Sequence, residues 1–84
     1  MKANEILTSL AYNIDNYGII SAVLISEHSN SITFSFQYRD EDDTQLTDMI
    51  CTIDKQYNIS IVGEHTDIEF ITELIYYTFT EFNF

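Results

Sequence analysis

The clearest pattern along the chain is a strict alternation, in which Ile32, Phe34, Phe36 and Tyr38 interleave with Thr33, Ser35, Gln37 and Arg39. A period of two places the four apolar side chains on one face, as a strand covered on one side requires. Upstream, Ile19 to Ser26 is an apolar, β-branched run between Gly18 and the polar stretch Glu27-His28-Ser29-Asn30-Ser31. It predicts a buried strand followed by a turn. Downstream, Asp40 to Gln45 breaks the alternation as a hairpin connection, and Met49, Cys51 and Ile53 resume it. Asp54-Lys55-Gln56 permits another reversal, after which Tyr57, Ile59 and Ile61 form a fourth alternating set that stops before Gly63.

Helical spacing flanks these strands. Ile6, Leu7, Leu10, Ala11 and Ile14 predict a helix over residues 4–16, with Gly18 where a helix can end. Thr66-Asp67-Ile68-Glu69 reads as a capping box, with Thr66 accepting from the Glu69 amide while the Glu69 side chain reaches back. Ile68, Ile71, Leu74, Ile75, Thr78, Phe79 and Phe82 then form one broad apolar face, so this helix is expected to run to about residue 82. The expectation is an α+β fold in the order αββββα, a four-stranded antiparallel meander with both helices packed on one face. With 84 residues the chain can build one core and not two, so residues 1–84 are read as a single domain.

Charge changes the picture most. Fourteen Asp and Glu against three Lys and Arg give a formal net charge of −11. Such a field repels nucleic acid and anionic membrane and speeds association with basic proteins. Spread evenly over roughly 5,000 Å² of surface it would amount to only about one net negative per 450 Å². Duplex DNA carries one per ~1.7 Å of its axis, so only clustering could make this surface resemble a polynucleotide. Cys51 is the sole cysteine, which excludes an internal disulfide and points to a reducing compartment. Residues 1–10 lack the basic and apolar regions of a signal peptide, and no apolar run approaches a membrane span, so a cytoplasmic protein is expected.

An antiparallel meander would bring four chain segments to one pole: the end of the first helix, the hairpin between the second and third strands, the end of the fourth strand and the start of the last helix. Those segments carry Asp15, Asp40, Glu41, Asp42, Asp43, Glu64, Asp67 and Glu69, with Arg39 the only base nearby. Asp48 would extend the patch along the sheet if it faces solvent. Lys2 and Lys55 belong to the opposite pole. Taken singly, Asp67 and Glu69 suit a helix start and Asp40 to Asp43 a solvated hairpin. Together they are a like-charged cluster whose repulsion costs stability that no local role recovers.

Catalytic chemistry finds little support. Gly18 and Gly63 are isolated, so there is no phosphate-binding glycine loop, and Cys51, His28 and His65 lack metal-ligand spacing. A calcium loop starting at Asp40 would need Gly at its sixth place and Glu at its twelfth, where Gln45 and Cys51 stand. Ser29 and Ser31 beside His28 read as turn residues. No enzyme activity, cofactor or metal is expected.

The first helix and strand, the segment Ser29-Asn30-Ser31-Ile32-Thr33 leading the second strand, the acidic hairpin and the closing helix resemble the small acidic anti-CRISPR proteins that inhibit type II-A Cas9. The resemblance covers about the first two thirds of the chain. It implies carboxylates that imitate DNA in the cleft that reads the protospacer-adjacent motif, carried here by Asp15 and by Asp40 to Asp43. Arginines and lysines that hold bases and phosphates can engage carboxylates through the same charge-assisted bonds. The chain departs from that family in its fourth strand, its lack of an Asn/Asp-Gly turn and the absence of a further acidic helical segment.

The expected function is therefore a DNA-mimic inhibitor of phage or mobile-element origin, acting in a bacterial host on a basic nucleic-acid-binding enzyme, with a Cas effector nuclease foremost. It would bind no nucleic acid or membrane directly. The alternative is a small acidic interaction or self-association module, including an antitoxin or immunity protein, whose charge serves solubility. Tyr76, Tyr77 and Phe84 are the candidate contacts of a homodimer on that view.

Overall fold

Backbone hydrogen bonding in the computed structural model, which describes residues 2–13, 15–42 and 45–84, gives α1 (Lys2–Leu10), β1 (Gly18–Glu27), β2 (Ser31–Arg39), β3 (Thr47–Asp54), β4 (Ile59–Val62) and α2 (Ile68–Glu81). The strands form one antiparallel sheet in the order β1-β2-β3-β4, and both helices lie on its inner face, so the αββββα fold expected from the sequence is the observed one. Of the sequence-predicted site residues, Asp43 lies outside the described residues.

The alternation on β2 sets the core. Ile32, Phe34, Phe36 and Tyr38 are buried, and the register places Met49, Cys51 and Ile53 of β3 beside them. Ala3, Ile6, Leu7 and Leu10 of α1 and Ile71, Ile75 and Phe79 of α2 close the core from the helical side. Phe79 stacks on Phe34 with ring centroids 5.8 Å apart. At its far end α2 stops in a Schellman arrangement: Asn83 takes a φ of 56°, the Asn83 N–H donates to the Thr80 carbonyl and the Phe84 N–H to the Phe79 carbonyl. Phe84 then packs edge-on against Phe79, and Lys55 Nζ sits 4.0 Å over its ring.

Four local expectations are corrected. The helix predicted over residues 4–16 spans Lys2–Leu10, because the Asn13 side chain accepts the Tyr17 N–H and supplies the backbone with a competing partner. β1 is an edge strand with only one covered face: Ile19 is buried, whereas Val23 and Ile25 are 58% and 55% exposed. A continuous apolar run reads as buried on both faces, yet the two helices cover only one side of the sheet. Tyr57 belongs to the turn before β4 rather than to the strand, with a φ of 65° and its N–H on the Asp54 carbonyl. The capping box does not form: Asp67 is the N-cap of α2, and no side chain caps the helix.

The sheet's other face is open. Reading across the strands by register, Val23, Ser35, Ile50 and Val62 make one row, and Gln37 and Asp48 lie in the next row toward the acidic pole. Thr33, Thr52 and Ser60 form the row on the other side. Among the described residues no helix is long and apolar enough to cross a membrane.

Candidate functional site: an acidic pole

The pole is built where β2 leaves the sheet. Tyr38 is the last inward side chain of that strand, and a buried tyrosine needs a partner for its hydroxyl. It donates to Asp67 Oδ2 at 3.0 Å, joining the end of β2 to the start of α2. Burial, the bond to Asp67 and the nearby charges of Asp67 and Asp40 push the Tyr38 hydroxyl up to about 12. The His65 ring stands edge-on to Tyr38 at 4.9 Å, and His65 Nδ1 accepts the Asp67 N–H at 3.0 Å. This contact explains the missing capping box: the carboxylate of Asp67 serves a tertiary bond, and His65 supplies an acceptor beside the helix start.

Arg39 ties in the third connection. Its Nη1 donates to the Asn16 carbonyl at 3.3 Å, and its Nε is buried without a hydrogen-bond partner. The guanidinium therefore holds the segment after α1 rather than neutralising a carboxylate. Among the described residues no lysine or arginine pairs with an acid, and the one close approach of a basic to an acidic side chain is His65 Nδ1 to Asp67 Oδ2 at 3.8 Å.

These contacts bring seven of the eight sequence-predicted acids to one end of the molecule. Asp15 is exposed on the α1–β1 connection, Asp40 is half-buried, and Glu41 and Asp42 are exposed on the β2–β3 connection. Glu64 is exposed after β4, Asp67 is half-buried, and Glu69 is exposed in the first turn of α2, where negative charge suits the helix dipole. Asp48 faces solvent on the open sheet and accepts from Gln37 Nε2 at 3.0 Å. Lys55 lies at the opposite end, where its N–H donates to the Asn30 carbonyl, and Lys2 opens α1 at the end remote from the acids. Tyr76 and Tyr77 are exposed on α2, and Phe84 is half-buried against Phe79.

Tyr38 and His65 organise the pole, a role to which neither the alternation of β2 nor the spacing of the histidines points. Donor atoms of Asp40, His65 and Asp67 lie within 4.8 Å of one another, a grouping invisible to chain spacing because Asp40 comes from a different connection. The lone pair on His65 Nδ1 already receives the Asp67 N–H, which leaves the proton of the neutral ring on Nε2. A cation would have to break that bond beside the positive end of α2, so Tyr38, Asp67 and His65 form a hydrogen-bonded latch with Asp40 beside it. His28 and Ser29 fall in the β1–β2 turn and Ser31 opens β2, and the His28 N–H donates to the Ser31 carbonyl. Cys51 is fully buried and its thiol is pushed up to about 12 by that burial, which makes it an inert core side chain. No family model, no curated protein and no solved structure matches this chain.

Proposed function

We propose that this protein is an acidic inhibitor that presents one pole of its fold to the basic cleft of a nucleic-acid-binding enzyme, with a CRISPR-Cas effector nuclease as the foremost target. The observation that supports this most is the gathering of Asp15, Asp40, Glu41, Asp42, Glu64, Asp67 and Glu69 on three connections and the first turn of α2, with no lysine or arginine paired to any of them. Asp43 of the same hairpin joins them by sequence. A cluster left unneutralised sacrifices stability to self-repulsion, which is intelligible if a partner supplies the cations. Arg and Lys side chains that clamp phosphate accept carboxylates through the same charge-assisted geometry. Asp67 is held by the latch with Asp40 beside it, while Glu41, Asp42 and Glu64 reach into solvent.

On this proposal the protein acts in the cytoplasm of a bacterial host, is made by a phage or mobile element, and contacts protein rather than nucleic acid or membrane. The test is competition: guide-loaded type II-A Cas9 is titrated with labelled target DNA in the presence of the protein. The expected result is displacement of DNA, weakening as salt rises, and a loss of at least about tenfold in apparent affinity when Asp42 and Asp43 are both changed to Lys. Inhibition indifferent to that reversal would sink the proposal. A second reading, an interaction module of the antitoxin or immunity type, draws on the exposure of Tyr77, 63%, beside Tyr76 on α2.

A further inference from the structure

We propose that two copies of this chain associate through the open face of the sheet, about a two-fold axis that runs across the strands along the row Val23, Ser35, Ile50 and Val62. This goes beyond the acidic pole and involves a different surface. The row spans all four strands, and it contains no charge. Val23, Ile50 and Val62 are 58%, 42% and 69% exposed, which is apolar surface a monomer leaves in water.

The flanking rows select the partner. A two-fold along the central row exchanges the row above with the row below, so Asp48 faces Thr52 of the second copy and Gln37 faces its Thr33. An acceptor meets a hydroxyl donor and a carboxamide meets a hydroxyl, and Asp48 never meets itself. The polar side chains are already ordered in pairs for this, Gln37 with Asp48 at 3.0 Å and Thr33 with Thr52 at 3.0 Å. The alternative two-fold, along the strands, would set the two acidic poles side by side. The chosen axis sends them to opposite ends of the pair, which is how chains of net charge −11 can associate at all.

Area and edges agree. Strands about 4.8 Å apart, three of them eight to ten residues long and β4 of four, give a flat footprint of roughly 500 Å². Side-chain relief brings the surface covered on each copy to the order of 700 Å², near the ~800 Å² per partner of a stable interface. Pairing through the β1 edge is disfavoured, because register shifts between Ile19 and Ser21 and between Leu24 and Ser26 interrupt that edge. β4, at the other edge, offers only Ile59–Val62.

Sedimentation equilibrium on the full chain decides the matter. The wild type is expected to dimerise with concentration, and the dimer to tighten by at least roughly tenfold between about 0.05 and 0.5 M NaCl as repulsion is screened. Ile50→Lys with Val62→Lys is expected to be monomeric although both changes lower the net negative charge, with an unaltered far-UV spectrum because both side chains are exposed. Tyr77→Asp is expected to dimerise as the wild type does. A wild type that is monomeric at about 0.5 mM protein in ~0.5 M NaCl overturns the proposal. So does a dimer that survives the double lysine change, or one that Tyr77→Asp abolishes.

Discussion

Gly63 carries the chain from β4 over Met49 to the acidic pole, with a φ of 141° that side chains rarely adopt. A Cβ there would lie 2.6 Å from Met49 Cγ, inside the core, so Gly63→Ala meets both backbone strain and overpacking. We expect a loss of about 1–3 kcal/mol in denaturant unfolding, larger for Gly63→Val. An unchanged midpoint would show that Met49 can move aside freely. The sequence marks Gly63 only as the place where an alternating set stops. The same limit applies to Tyr38: its place on the covered face is legible from the alternation, but the partner of its hydroxyl, Asp67, is 29 residues away in sequence.

Elements show where periodicity suffices and where local polar chemistry overrides it. β2 and α2 were legible because their patterns match their burial, Ile32 to Tyr38 at period two and Ile71, Ile75 and Phe79 along one helical stripe. The capping box and the length of α1 depart from the sequence pattern because Asp67, His65 and Asn13 use their side chains on partners that a four-residue motif does not include. Coverage of β1 could not be read either, since an apolar run does not say how many layers a fold has. The β3–β4 turn is organised by Asp54, whose carboxylate accepts from the Asn58 side chain and from the N–H groups of Gln56 and Asn58. Those bonds, the Asn58 side chain first, hold its pKa below the ordinary carboxylate value. A lowered value in the folded state means that the stabilisation is present above the unfolded pKa of ~3.9 and disappears as pH falls through the lower folded value. Asp54→Ala should therefore lower the urea midpoint near neutral pH, and the gap to the wild type should shrink in acid; a gap independent of pH would contradict the turn's role.

For the molecule as a whole, the accessible surface of 5,355 Å² agrees with the value expected from chain mass, so mean charge density was legible from composition. The pole was legible from strand parity, because each antiparallel reversal fixes the end at which the next connection falls. Its latch and the pinning of Arg39 to Asn16 were not, since they depend on side chains meeting across three connections. Gathered, unpaired carboxylates raise the free energy of the folded state, and added salt screens them. The melting temperature should accordingly rise by several degrees between about 0.02 and 0.3 M NaCl, with a smaller rise for the Asp42→Lys and Asp43→Lys protein. Equal rises in both would mean that the hairpin contributes little to the repulsion.

Burial of Cys51 opens a practical route to watching this end of the molecule. Because the native thiol is sealed in the interior, a cysteine substituted for Glu41 would be the only sulfur open to a maleimide dye under folding conditions. One fluorophore would then report, without any background labelling to subtract, when something settles over the hairpin and when it leaves.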